Sequence, residues 1–350
     1  MKGWMGKFKA LFLLGLVALI LSACGKENLS ALKPEGYGAQ TAMDLIILST
    51  VVMLFVLLIV VVIYVTVLLR YRRKKGQEDY IPKQVEGNKT LETVWTVIPI
   101  ILLIIIAVPT VTATFDLADE KGASDGLNIQ VTGNQYWWHF NYNGKEIQTS
   151  QDLYIPVDQK VYLNMKSSDV IHSLWVPSIS GKMDVNPENE NTMFIEAFEE
   201  GVYWGKCAEL CGPSHSLMDF KVIAVSQEEF DQWVEDMQNV DPKAQPQDAI
   251  AQEGQALFQE KNCMGCHAIG SSPVQVGPNL TNFGSRSTLA GVEDMTKENM
   301  VQWITDPESI KPGNKMTGNY PEVSEEEAGK IAEYLMQLQP SEITPESAGN

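Results

Sequence analysis

One segment organises this chain: Cys207-Ala208-Glu209-Leu210-Cys211-Gly212-Pro213-Ser214-His215-Ser216-Leu217-Met218. It holds two thiols, an imidazole and a thioether within twelve residues. Sulfur ligands are soft and suit copper better than Mg²⁺ or Ca²⁺, which prefer oxygen. His172 precedes the segment by the length of a strand and a loop. We therefore expect a soft-metal centre, held by the domain that surrounds the segment.

The residues around this segment have the pattern of β-strands. Leu127, Ile129 and Val131 alternate with polar residues, and turn signals separate this run from similar ones downstream. We predict a small antiparallel β-sandwich or barrel over residues 127 to about 225. A helical pattern over residues 226–238 closes the domain, with Phe230, Val234 and Met237 on one face.

The spacing C-x3-C-x3-H is also compatible with a zinc site or with a disulfide beside a histidine. Met218 is a poor zinc ligand but a usual copper ligand. Cys207 and Cys211 bracket Glu209, so both sulfurs could bridge a pair of metals. These features favour copper and leave zinc and a disulfide as alternatives.

A second motif, Cys263-Met264-Gly265-Cys266-His267, predicts covalent attachment of haem c. The two cysteines would form thioether bonds, and His267 would supply an axial imidazole. The alternative is a disulfide within C-x-x-C. For the sixth iron ligand, Met316 in a downstream loop is the best candidate, and Met295 is its competitor.

This motif lies in a helical unit, residues 249 to about 339, that follows a polar, proline-bearing linker at 241–248. Its last helix is predicted to begin at Ser324, because Glu327 completes a capping box. An apolar face follows, and we expect it to be buried. Its members are Ile331, Tyr334, Leu335 and Leu338.

Two uncharged stretches, residues 45–69 and 93–115, are long enough to cross a bilayer. We expect them to form a transmembrane hairpin. Residues 1–24 have a basic start, an apolar run and small residues before Cys24, which is typical of a secretory signal. The alternative is an uncleaved anchor helix in which Cys24 is incidental.

Charge is distributed unevenly along the chain, whose formal net charge is -18. Residues 70–91 carry seven basic and three acidic residues, whereas residues 115–350 carry 14 Lys+Arg and 37 Asp+Glu. By the positive-inside rule the loop is cytoplasmic, so both termini and the large C-terminal part face outward. An acidic surface disfavours nucleic acid and would attract a basic protein partner.

Taken together, these motifs resemble subunit 2 of cytochrome c oxidase, in the bacterial form with a fused C-terminal cytochrome c domain. The motif C-x-E-x-C-x3-H-x2-M resembles that family's binuclear copper centre, CuA. The resemblance implies a ligand set for this centre: His172, Cys207, Cys211, His215, Met218 and the backbone carbonyl of Glu209. It further implies that the Glu209 carboxylate faces a Mg²⁺ ion at the boundary with subunit 1, a hard cation that suits a carboxylate.

The resemblance implies a multidomain fold: a transmembrane hairpin, an all-β cupredoxin-like sandwich and an all-α cytochrome c domain. The expected divisions are a lipoprotein-type signal peptide at 1–24, the hairpin at 25–116, the sandwich at 117–240, the linker at 241–248, the cytochrome c domain at 249–340 and a tail at 341–350. Leu21-Ser22-Ala23-Cys24 resembles a lipoprotein box, which implies a lipid anchor at Cys24 on the outer face of a bacterial membrane.

Two further stretches resemble parts of the family. Residues 92–99 resemble the start of its second membrane helix, where the glutamate, here Glu92, lies at the mouth of a proton-uptake path. An ordinary charged residue at a membrane boundary is the alternative. Residues 133–140 resemble the aromatic patch at which electrons enter, with Tyr136 where the family usually has tryptophan and with Trp138 beyond it.

The implied function is transfer of electrons from haem c to CuA and on to the haem–copper centre of subunit 1, where O₂ is reduced to water with proton translocation. Partners would be subunit 1, other oxidase subunits and an upstream cytochrome c or cytochrome bc-type donor. A quinol-oxidase subunit lacks the copper ligands, so Cys207, Cys211 and Met218 exclude it. One alternative is a CuA domain that feeds a different acceptor, as in nitrous oxide reductase. Another is a lipid-anchored CuA and haem c electron carrier that serves another acceptor.

Overall fold

The computed structural model describes residues 27–72, 86–119, 123–271 and 276–349, with single positions at 12, 13, 15, 76, 81 and 84. Cys24 and its lipoprotein box lie outside the described residues. The chain divides into two compact units, one of residues 40–119 and one formed by the remainder.

The unit of residues 40–119 contains two long helices, α2 (Lys89–Leu117) and all but the first three residues of α1 (Tyr37–Tyr71). Both extend beyond the apolar stretches predicted from the sequence and are long and apolar enough to cross a membrane. Asn88 caps α2, because its side chain accepts hydrogen bonds from the N–H groups of Thr90 and Leu91. Nearly all apolar side chains along both helices are exposed within the chain, so they require lipid or partner helices around them.

A β-sandwich begins the second unit. Its strands are β1 (Leu127–Asn134), β2 (Trp137–Tyr142), β3 (Ile147–Ser150), β4 (Asp152–Pro156), β5 (Val161–Ser167), β6 (His172–Trp175), β7 (Lys182–Val185), β8 (Asn191–Ile195), β9 (Gly201–Cys207) and β10 (Phe220–Val225). They form two five-stranded sheets, ordered β3-β2-β1-β5-β8 and β4-β10-β9-β6-β7. Most neighbouring strands pair antiparallel as predicted, but β1 pairs with β5 and β4 with β10 in parallel.

Helix α3 (Gln227–Gln238) closes one end of the sandwich, as predicted. Ser226 and Glu229 form a capping box at its start. Its buried face includes Trp233 rather than the predicted Val234, which is only partly buried. The Trp233 ring stacks on Tyr154 with centroids 4.5 Å apart, which fixes the helix on the sheets.

The C-terminal domain is mainly helical. It contains α4 (Ala249–Glu260), α5 (Lys297–Thr305), α6 (Pro307–Ile310) and α7 (Glu325–Met336). It also holds a small ladder of β11 (Thr288–Leu289) and β12 (Glu293–Asp294), with two residues in each strand. Gly254 lets α4 approach α7 closely, because a Cβ there would lie 1.9 Å from the carbonyl oxygen of Lys330. The capping box of Ser324 and Glu327 begins α7 as predicted.

The C-terminal segment, predicted only as a tail, returns to the sandwich. Its short helix α8 (Pro345–Ala348) follows the helical domain, and Ile343 and Ala348 pack against the sandwich core. The helical domain is therefore attached to the sandwich at both ends, through the linker at 241–248 and through this segment.

Candidate metal centres

The first candidate centre lies where two neighbouring strands meet a loop. His172 begins β6 and Cys207 ends β9, and these strands pair antiparallel with Leu174 opposite Cys207. The chain then passes through Cys211 to a 3₁₀ turn at His215–Leu217, and Met218 follows it. Sheet pairing thus brings the distant His172 to the motif.

All six predicted copper-binding groups lie in one cluster. The sulfurs of Cys207 and Cys211 are 3.9 Å apart, which is too far for a disulfide bond of about 2.05 Å. Cys207 Sγ lies 3.9 Å from His172 Nδ1 and 3.3 Å from the Glu209 carbonyl oxygen. Cys211 Sγ lies 3.7 Å from His215 Nδ1 and 3.9 Å from Met218 Sδ. The two sulfurs therefore lie between His172 on one side and His215 on the other. This arrangement would suit a pair of metal ions.

Asp169 orients His172 from the far side. Its Oδ1 lies 2.9 Å from His172 Nε2. An ionised carboxylate can only accept a hydrogen bond, so Nε2 carries a proton and Nδ1 faces Cys207. No separate pattern in the sequence indicates this supporting role.

The two thiols have opposite pKa shifts. Burial opposes ionisation of Cys207, but hydrogen bonds, led by that from His172, lower its pKa. Burial and the neighbouring Cys207 charge raise the pKa of Cys211. Without a cation, one thiolate suppresses the other, so a bound metal is what allows both sulfurs to be ionised. The donor set and its electrostatics fit a soft metal pair.

The aromatic stretch predicted to receive electrons is not a surface patch. Trp138 is fully buried, its ring lies edge-on to His172 at 5.9 Å between centroids, and its Nε1–H donates to the Met218 carbonyl oxygen at 3.4 Å. Tyr136 is only 4% exposed. Residues of the helical domain pack beside Tyr136, and Lys311 Nζ donates to its carbonyl oxygen at 2.8 Å.

The second candidate centre is a cleft in the helical domain. Cys263, Cys266, His267 and Met316 all line it, whereas Met295 is not among its described lining residues. The cleft has apolar walls, as a porphyrin needs. They include Phe258, Leu280, Met300, Ile304, Ile331 and Leu335.

The geometry of His267 fits axial ligation. Its Nδ1 lies 2.9 Å from the Pro278 carbonyl oxygen, which can only accept. The proton is therefore on Nδ1 and Nε2 keeps its lone pair. Arg286, also in the lining, is buried, and its Nε has no hydrogen-bond partner among the described residues. A buried cationic donor suits a group that carries carboxylates, as haem does.

The sandwich supplies part of the cleft wall. Gln135, Tyr136, Trp137 and Gln151 line it together with the helical domain. Gln135 Nε2 also donates to the Cys211 carbonyl oxygen at 2.5 Å. Residues 135–136 of the sandwich thus contact both centres. The sequence does not predict this contact, because it depends on how the domains pack.

Two other predicted site residues are exposed. Glu92 is exposed in the first turn of α2. Glu209 is also exposed, and no other carboxylate or histidine joins it in a metal-binding cluster among the residues that the structure describes.

Three family profiles match successive parts of the chain. They are described as the transmembrane domain of cytochrome c oxidase subunit II (residues 38–112), its periplasmic domain (144–225) and cytochrome c (251–339). The whole copper-binding cluster lies within the second match, and the residues that the helical domain contributes to the cleft lie within the third.

Curated relatives match over nearly the full length. Cytochrome c oxidase subunit 2 of Bacillus subtilis is 48% identical over 95% of this chain and 98% of its own. That of Bacillus sp. strain PS3 is 48% identical over 93% and 96%. Quinol oxidase subunit 2 of Bacillus spizizenii is 35% identical over 67% of this chain and 74% of its own.

Proposed function

The chain belongs to the cytochrome c oxidase subunit 2 family, and we propose that it delivers electrons from its cytochrome c domain through its copper domain to subunit 1. Its two apolar helices make it a two-span membrane protein, and its domains imply a CuA centre and a haem c. Membership as a second subunit implies a partner subunit 1 and other oxidase subunits. In the proposal, subunit 1 reduces O₂ to water with proton translocation.

One observation carries this proposal. Tyr136 lines the cleft that holds Cys263, Cys266 and His267, and the preceding Gln135 donates to the carbonyl of Cys211. Residues 135 and 136 therefore connect the wall of the haem cleft to Cys211, a proposed copper ligand. This contact favours transfer within one chain over docking of an external cytochrome on the same face.

The proposed CuA ligands are His172, Cys207, Cys211, His215, Met218 and the Glu209 carbonyl, supported by their mutual distances. Haem c would be attached at Cys263 and Cys266, with His267 and Met316 as axial ligands, supported by their shared cleft. When bound, both groups exchange single electrons. The chain's residues hold both groups at fixed positions and exclude water from them.

The proposal extends to the membrane setting. The basic residues beside α1 support a cytoplasmic loop, so the copper and cytochrome c domains would face outward, with the division into domains given above. A signal peptide with a lipid anchor at Cys24, Mg²⁺ binding by Glu209 and a proton-uptake role for Glu92 rest on the family resemblance. An upstream cytochrome with a basic surface would be attracted to the acidic outer domains.

Replacing one bridging sulfur tests the proposal. In Cys211→Ser, turnover of the assembled oxidase should be lost, because a hydroxyl does not replace a bridging thiolate. The haem c should still be reduced by an added donor. Ser216→Ala, an exposed position on the same loop, is the matched control and should keep full turnover. Oxidase activity retained in Cys211→Ser would refute the proposed role of the copper domain.

A further inference from the structure

A lysine is buried between the two centres. Lys311 is 3% exposed and lines the haem cleft, although it follows a surface helix, α6, and precedes a proline. Within the described part of the chain it makes no ion pair. Burying an ammonium group costs several kcal/mol unless strong hydrogen bonds offset it, so a lysine here calls for an explanation.

The ammonium group joins the two domains. Lys311 Nζ donates to the carbonyl oxygen of Tyr136 in the sandwich at 2.8 Å and to that of Ala290 in the cytochrome c domain at 2.6 Å. When Lys311 is protonated, both are hydrogen bonds from a charged donor, which are stronger than neutral ones. The Tyr136 carbonyl belongs to the same stretch that reaches Cys211 through Gln135.

The loop that begins at Lys311 makes two more contacts with the copper domain. Ser214 Oγ donates to the Pro312 carbonyl oxygen at 2.7 Å. Lys315 Nζ lies 2.7 Å from Asp169 Oδ2. The loop ends at Met316, the proposed haem ligand, so the segment 311–316 connects the haem cleft to the copper-binding loop. Of its two lysines only Lys311 is shielded from solvent, because Lys315 is 49% exposed.

We propose that Lys311 is a positioning residue for electron transfer within this chain. Its hydrogen bond to Tyr136 fixes segment 311–316 of the cytochrome c domain against the stretch 135–136 of the sandwich, and its bond to Ala290 holds the ammonium group in place within its own domain. The domain is thereby held in one docked arrangement instead of swinging on its linker. The attachment of both domain ends to the sandwich agrees with this. The inference rests on the proposed function, because it assigns a residue to the transfer step between the two domains.

The variant Lys311→Met tests the inference in the intact oxidase. Methionine keeps most of the aliphatic volume and removes the charge, so folding should be retained. The matched control is Lys297→Met, which breaks the ion pair with Glu333 inside the cytochrome c domain, away from the copper domain. Two readouts are used: amide hydrogen exchange of segments 133–138 and 311–316, and the rate at which photoreduced haem c passes its electron to copper.

In Lys311→Met, both segments should exchange faster, and electron transfer should slow by about tenfold, the effect of losing roughly one charge-assisted hydrogen bond from the docked state. The haem and copper spectra should not change, whereas a purely structural role would alter them. Lys297→Met should match the wild type in both readouts. The inference would be overturned if amide hydrogen exchange and electron transfer in Lys311→Met both equalled those of the wild type.

The salt dependence of the wild-type oxidase provides a second measurement that needs no variant. Exposed ion pairs such as Lys315 with Asp169 are screened at about 1 M salt, whereas buried contacts are screened much less. Transfer that stays fast at high salt supports Lys311 as the main contact. Transfer that collapses with salt would overturn the inference while leaving the proposed function intact. No transfer from haem c to copper at any salt would refute the proposed function itself.

Discussion

Replacing Asp169 by asparagine should weaken the copper centre without changing any of its ligands. Asp169 accepts from His172 Nε2 at 2.9 Å and from Lys315 at 2.7 Å, and it also accepts from the backbone N–H groups of Gln135 and Val170. Burial opposes its ionisation, yet these hydrogen bonds, led by that from His172, hold its pKa well below the usual value. Asparagine has one acceptor oxygen and must turn an NH₂ group toward some of these donors.

The expected magnitude follows from these contacts. A hydrogen bond from the buried His172 to a charged acceptor contributes about 1.5–3 kcal/mol. The pair with the half-exposed Lys315 adds only about 0.2–1 kcal/mol, because solvent screens it. Loss of a group that orients a ligating histidine typically lowers metal affinity by about 10–100-fold. We expect a loss of copper affinity in that range.

The assay is copper retention by the purified oxidase during dialysis against a graded chelator, with haem content as the internal reference. Asp184→Asn is the matched control, since Asp184 is an exposed aspartate of the same sandwich and lies 3.9 Å from Lys182. It should retain copper like the wild type. If Asp169→Asn also retains copper like the wild type, Asp169 does not orient His172.

Three further predictions follow. Met316→Leu should convert the haem c absorption spectrum to that of a haem lacking its sulfur ligand, whereas Met295→Leu should leave the spectrum unchanged. The opposite result would make Met295 the sixth iron ligand instead of Met316. Burial lowers the pKa of Lys311 from 10.5 to about 7, so the unfolded chain binds more protons between these values. The thermal stability of the wild type relative to Lys311→Met should therefore rise with pH across that window, and a constant difference would contradict this. Gly205→Ala should destabilise the sandwich by about 1–3 kcal/mol in chemical denaturation, because its Cβ would lie 2.2 Å from Cζ of the Phe220 ring. Unchanged stability would contradict this packing.

The copper cluster could be predicted from the sequence because most of it is local. Cys207, Cys211, His215 and Met218 lie within one strand end and one loop, so their spacing alone limits how far apart they can be. Asp169 and the parallel pairs of the sandwich depend on long-range pairing, for which the alternation of apolar residues carries no signal.

The contacts between domains could not be predicted for a related reason. Lys311 lies between an isoleucine and a proline at a helix end, a sequence typical of an exposed loop. Its burial results from the sandwich packing against the cytochrome c domain. The same packing covers Tyr136 and brings the C-terminal segment back to the sandwich.

The most direct test of the account is to follow a single electron in the wild-type oxidase. Haem c is photoreduced without oxygen, and haem and copper absorbance are recorded at several protein concentrations. The account predicts that haem c is reoxidised and copper reduced in one shared phase, with a rate constant that does not depend on protein concentration. A rate proportional to concentration, or copper reduction that bypasses haem c, would contradict electron transfer within the chain.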